Sequence, residues 1–102
     1  PPVCGKCGGH LRPHVVWFGE MLDPAVLRSA MKVVQECDFF IVAGTSAVVQ
    51  PAAGMPLLAK RAGAFVLEVN PERTDLSEAL NESISEPSGV ALPRLVETAF
   101  GG

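Results

Sequence analysis

A chain of 102 residues leaves room for one small domain, and 48% hydrophobic content is enough to give it a buried core. The formal net charge of −3 argues against nucleic-acid binding as the main role. No apolar run approaches the length of a membrane span, and no charged region with a cleavage site opens the chain. Three cysteines are an odd count for a disulfide framework and fit a reducing, cytoplasmic setting with two of them explained by metal.

The opening Pro1-Pro2-Val3 has no initiator Met and reads as a trimmed end or a piece of something larger. Residues 1–12 then form a knuckle around Cys4-Gly5-Lys6-Cys7-Gly8-Gly9-His10. Cys-x-x-Cys followed by glycines lets two thiolates converge on one Zn²⁺, because glycine permits the tight turn. A structural zinc needs four ligands. The pair Cys4 and Cys7 therefore reads as half of a four-cysteine site, with His10 a weaker third candidate. A thioredoxin-like redox pair is the competing reading, but that motif opens a helix after a strand, and Gly8-Gly9 opposes it.

Val15 to Phe18 is expected to be a short apolar strand ending at Gly19-Glu20. One of Trp17 and Phe18 is expected in the core, while aromatics beside a strand-end glycine can equally line a channel for a long side chain. Asp23-Pro24 marks a helix start, with Asp23 as N-cap and Pro24 in the first turn. Val26, Leu27, Ala30, Met31 and Val34 follow helical spacing, and Cys37 reads as a small buried hydrophobe.

Phe39-Phe40-Ile41-Val42-Ala43 is an uninterrupted apolar run, as in a parallel strand covered on both faces. Gly44, Thr45 and Ser46 follow at its carboxyl end, where ligand crevices of open α/β sheets lie. Gly44 permits close approach to the backbone, and the two hydroxyls can donate to phosphate or ribose oxygens; a plain polar turn is the alternative. Residues 52–61 read as a helix, with Pro56 a kink or restart and Gly63 its stop. Residues 64–69 read as a second buried strand, ending at Asn70-Pro71-Glu72. An acidic residue just past a strand end can accept from ribose hydroxyls, whereas Asn-Pro is also an ordinary turn dipeptide. Residues 75–81 are polar and helix-compatible, 83–85 a short strand, 86–89 a loop, and 92–100 a closing amphipathic helix. The alternation of strand and helix predicts an α/β fold with a parallel sheet.

Taken together, five motifs in order resemble the sirtuin family of NAD-dependent protein-lysine deacylases. They are Cys4-x-x-Cys7, Arg12-Pro13-x-Val15-Val16-x-Phe18-Gly19-Glu20, Gly44-Thr45-Ser46-x-x-Val49-x-Pro51-Ala52-Ala53, Asn70-Pro71-Glu72, and Pro87-Ser88-Gly89-x-x-Leu92-Pro93. The resemblance spans nearly the whole chain and corresponds to the C-terminal part of such an enzyme. The Val-Val-Trp-Phe-Gly-Glu wording is most similar to the bacterial and mitochondrial branch that includes desuccinylases.

The resemblance implies a Rossmann-like NAD-binding region over residues 13–102, preceded by the second half of a zinc module. It implies Gly44, Thr45 and Ser46 at the ribose and phosphates of NAD, Asn70 and Glu72 at the adenosine ribose, and Ser88 beside the adenine. Cys4 and Cys7 are then a pair of zinc ligands. Val16, Phe18, Gly19 and Glu20 form one wall of an acyl-lysine cleft and Val48 and Val49 the other, with a substrate peptide added between them as a strand. The family's glycine-rich first loop, its first cysteine pair and its histidine base have no counterpart in this sequence, and neither His10 nor His14 takes that role. The 102 residues alone are therefore expected to be inactive and to self-associate. A non-catalytic nucleotide- or peptide-binding module is the alternative.

Overall fold

Three parallel strands carry the architecture: β1 (Phe39–Ala43), β2 (Phe65–Val69) and β3 (Glu82–Ile84), side by side in that order. The computed structural model describes residues 1–101. β1 and β2 pair along their full length, from Phe39 opposite Phe65 to Ala43 opposite Val69, whereas β3 meets only Leu67, Glu68 and Val69. Helix α1 (Pro24–Glu36) precedes β1. A 3-10 turn at Ala52–Gly54 leads into α2 (Met55–Arg61), which connects β1 to β2, and α3 (Ser88–Phe100) follows β3. This is the α/β fold with a parallel sheet and flanking helices that the sequence predicts.

The local signals that start and stop these elements act as expected. Asp23 Oδ1 accepts from the Ala25 amide at 2.9 Å, and Pro24 fills the first helical position, where no N–H is needed. Pro56 restarts the chain as α2 after the 3-10 turn. Gly63, at φ 107°, ends the helix in a conformation that a side chain would strain.

Two clusters form the core. On one face Val42 and Val66 pack with Val34 of α1, Ala59 of α2, and Leu76 and Leu80 from the β2–β3 connection. On the other, Leu67 and Val69 pack against Ala91, Leu92 and Leu95 of α3. Each fully buried aliphatic side chain contributes about 1.5–3 kcal/mol relative to exposure.

Several expectations are corrected. β1 is not covered on both faces: α3 packs over β2, so Phe39 and Ile41 stay 53% and 44% exposed. Phe39 instead stacks on Phe65, ring centroids 5.9 Å apart. Residues 15–18 form no strand, because no neighbouring strand offers them a ladder; Trp17 and Phe18 are both exposed. Residues 75–79 are successive turns rather than a helix, since Thr74 and Ser77 bond to local amides in place of a helical ladder. Helix α3 starts at Ser88, four residues before the predicted Leu92, with Pro93 accommodated inside it. Cys37 is half-buried at the end of α1, its thiol donating to the Val34 carbonyl at 3.3 Å. Among the described residues no helix is long and apolar enough to cross a membrane.

Candidate functional site

At the carboxyl ends of β1 and β2 the parallel register brings two loops side by side, the position at which open α/β sheets bind ligands. The Gly44 amide donates to the Val69 carbonyl at 3.0 Å, and the Asn70 amide to the Ile84 carbonyl at 3.0 Å, so the strand ladder runs into both loops. Gly44 has φ 66°, and its missing Cβ would point into open space. The Asn70 side chain ties the loops together: its Nδ2 donates to the Thr45 carbonyl at 2.9 Å, and its Oδ1 accepts from the Glu72 amide at 3.1 Å. Ala47, at φ 59°, is a non-glycine residue held in the left-handed region where the β1 loop turns away.

The resulting recess, about 370 Å³, is lined by Gly44, Ser46, Asn70 and Glu72 together with Arg73, Thr74 and Asp75. The Ser46 hydroxyl and Glu72 carboxylate have no side-chain hydrogen-bond partner among the described residues and stand free for a ligand. A hydroxyl donor and a carboxylate acceptor beside a glycine suit a ribose. Thr45 is exposed and is not part of the lining; its Oγ1 accepts from the Ala47 amide at 3.1 Å. Ser88, at the first position of α3, does not line the recess. Sequence reasoning missed Arg73, Thr74 and Asp75. Their signal was the polar run after Asn-Pro-Glu, which reads equally well as a turn.

A second and larger cleft, about 1120 Å³, lies between residues 12–23, α1, and the segment after Ser46. Val16, Phe18, Gly19 and Glu20 line one side and Val49 the other, while Val48 is exposed next to it rather than part of the lining. The first wall has no strand ladder, and Arg12 holds it. The guanidinium bonds Glu20 Oε1 at 3.0 Å and the Val15 carbonyl at 2.9 Å, and lies 3.8 Å over the Trp17 ring. Met21 and Met55 also belong to this cleft and were not singled out from the sequence, and Arg12 was read there only as part of a motif. Phe18 is 93% exposed, an unusual apolar exposure in a small domain.

The cysteine knuckle closes as a small hairpin. Val3 bridges His10, the Cys4 amide donates to the Gly9 carbonyl at 2.8 Å, and the Gly8 amide donates to the Cys4 carbonyl at 2.9 Å. The Lys6 amide donates to Cys4 Sγ at 3.4 Å. That amide, with the Cys7 amide and thiol, holds the Cys4 thiol below its usual value and favours the thiolate that binds metal. Among the described residues no three His, Cys, Asp or Glu side chains converge; Cys4 and Cys7 offer two thiols of the kind that ligate zinc, half of a tetrahedral set.

A model of the Sir2 family matches residues 1–51. The NAD-dependent protein deacylase 1 of Archaeoglobus fulgidus is 52% identical over 95 residues, covering 93% of this chain and 39% of that protein. A solved complex of a Sir2 homolog with NAD superposes with a TM-score of 0.88 at 50% identity, over 95% of this chain and 38% of its own. A Sir2 complex with a p53 peptide and NAD+ gives 0.83 at 33% identity, over 98% and 41%. The chain thus spans about 40% of the length of the curated relatives it matches.

Proposed function

The chain belongs to the Sir2 family, and from that premise we propose that it is the C-terminal portion of an NAD-dependent protein-lysine deacylase of deacetylase or desuccinylase type. The observation that carries this reading is the convergence of Gly44, Ser46, Asn70 and Glu72 in one polar recess beside an apolar cleft. Glu72 accepts from the adenosine ribose hydroxyls, Ser46 donates to the ribose–phosphate part of the dinucleotide, and Asn70 holds the two loops at the spacing this needs. When bound, NAD would supply an electrophilic ribose carbon for the acyl oxygen, so that acyl-lysine, NAD and water give nicotinamide, an O-acyl-ADP-ribose and the free lysine. Thr45 joins Gly44 and Ser46 at the ribose and phosphates, and Ser88 sits beside the adenine.

The acyl-lysine side chain enters the cleft lined by Val16, Phe18, Gly19, Glu20 and Val49, with Val48 at its margin. Support comes from backbone chemistry: the amides of Val16, Phe18 and Val48 have no backbone partner among the described residues, so an extended peptide can pair with both walls. Cys4 and Cys7 supply two thiolates to a structural Zn²⁺ that needs two further ligands from elsewhere. The protein works in a reducing, cytoplasmic setting.

Deacylation of acetyl- and succinyl-lysine peptides, with and without NAD, tests this reading. The full-length gene product is expected to turn over at least one peptide only with NAD, and residues 1–102 by themselves none, for want of a base on the nicotinamide ribose; general-base catalysis is commonly worth ~10²–10⁴-fold. NAD-dependent turnover by the 102-residue segment would overturn the assignment of roles. NAD binding without turnover in the full-length product would favour the non-catalytic module.

A further inference from the structure

Glu68 is the one acidic residue inside the apolar run of β2, and its side chain is fully buried, at 0% exposure. It lies two residues before Asn70 but lines neither cleft. Three hydroxyls surround it. Ser83 of β3 donates to Oε1 at 3.0 Å, Ser77 donates to the same oxygen, and Thr74 donates to Oε2. The loop hydroxyls are fully committed: Thr74 Oγ1 also accepts from the Leu76 amide at 3.3 Å, and Ser77 Oγ from the Thr74 amide at 2.9 Å. A carboxylate, an acceptor with no proton to donate, matches three converging donors, and the turn at residues 74–77 cannot move without breaking that match.

Arg73, Thr74 and Asp75 form one side of the recess that holds Ser46 and Glu72. We infer that Glu68 is a positioning residue for the dinucleotide end of the site, fixing the turn at residues 74–77, and with it the far wall of the recess, without touching the ligand. The inference rests on the proposed binding of the adenosine ribose in that recess. Ser83 differs from the other two hydroxyls, because it joins the carboxylate to a strand already held by the sheet. Loss of Ser77 frees the loop; loss of Ser83 does not.

The test is ADP-ribose titration of the full-length gene product and its Glu68→Gln, Ser77→Ala and Ser83→Ala variants, with KM for NAD and for an acyl-lysine peptide measured alongside. Glu68→Gln and Ser77→Ala are expected to weaken ADP-ribose binding about 10-fold, the equivalent of one buried hydrogen bond. KM for NAD should rise in step while KM for the peptide stays put, and Ser83→Ala should bind as the wild type does. If Glu68→Gln fails to fold, Ser77→Ala against Ser83→Ala decides. Unchanged ADP-ribose affinity in Ser77→Ala, or equal losses in Ser77→Ala and Ser83→Ala, would overturn the inference. A wild-type protein that binds no ADP-ribose would instead sink the dinucleotide reading beneath it.

Discussion

Glu68 poses the sharpest electrostatic question in the molecule. Burial pushes its carboxyl up, but the hydroxyls of Ser77, Thr74 and Ser83, with the nearby charge of Arg73, together outweigh burial and hold it below the usual carboxylate range. A folded-state value below the unfolded one contributes stability that is fully present above about pH 4.3, the ordinary glutamate value, and lost as pH falls through the lowered folded value. Glu68→Gln removes this contribution, so its stability should change less with pH over that acid window while being about 1.5–3 kcal/mol lower at pH 7. Urea unfolding from pH 3 to pH 7 checks both; parallel curves for the two proteins would refute the assignment. Ser46 and Asn70 predict different signatures. Ser46→Ala removes one ligand hydrogen bond and should weaken NAD use about 2- to 10-fold at unchanged stability. Asn70→Ala also cuts the ties to Thr45 and Glu72, so it should cost stability as well as NAD affinity, read by thermal melting beside NAD titration.

At the scale of elements, the sequence announced strands and helices wherever an element is decided by its own residues. The apolar runs expected as strands at residues 39–43 and 64–69, Asp23-Pro24 and Gly63 carry their physics locally; each appears in place, the second strand one residue shorter at Phe65–Val69. Residues 15–18 fail that test because a strand is a pairing, and the pairing partner is not written in the segment itself. Glu68 was overlooked for the same reason: a charge in an apolar run declares a buried partner without saying which hydroxyls, nine and fifteen residues away, will supply it. The recess was half legible, since Gly-Thr-Ser and Asn-Pro-Glu are compact motifs, whereas Arg73 to Asp75 enter it only through the fold of the turn. Two predictions belong here. Gly44→Ala meets no atom within 4 Å, so its cost is backbone strain at φ 66° alone, about 1–2 kcal/mol, and thermal melting should find it. For the knuckle, two thiolates cannot close a tetrahedral site within one chain, so metal analysis of the 102-residue segment should give no tightly held zinc, or one shared between two chains. In the full-length product Cys4→Ser should release zinc and lower the melting temperature; full zinc retention by that variant would rule Cys4 out as a ligand.

The whole molecule exposes more surface than its mass calls for. Its accessible area is 7519 Å², whereas a compact chain of this size shows about 5,500 Å² by the usual scaling. The radius of gyration is 17.6 Å and the extents 52 × 28 × 27 Å, against roughly 13 Å for a compact chain of 100 residues. Residues 1–23 account for part of this, because they carry no helix or strand ladder and almost all are exposed. Apolar side chains add to it, among them Phe39, Ile41 and Phe65 on the sheet face beyond α3, where β1 forms an open edge of the sheet. The surplus, about 2,000 Å² on one chain, exceeds the roughly 800 Å² that each partner of a standard protein–protein interface removes from solvent. An open strand edge beside that face is a template for pairing with a second chain. The 102-residue segment is therefore expected to self-associate through β1 and its exposed face, and light scattering at rising concentration should show mass above the 10.7 kDa monomer. Ile41→Lys and Phe39→Lys place charge on that face without touching the recess, so they should return the segment to monomer and leave ADP-ribose binding as it was. A monodisperse wild-type monomer at high concentration would refute the association. Association that survives both lysines would move it away from β1, to the uncovered apolar residues around Phe18 and Met21.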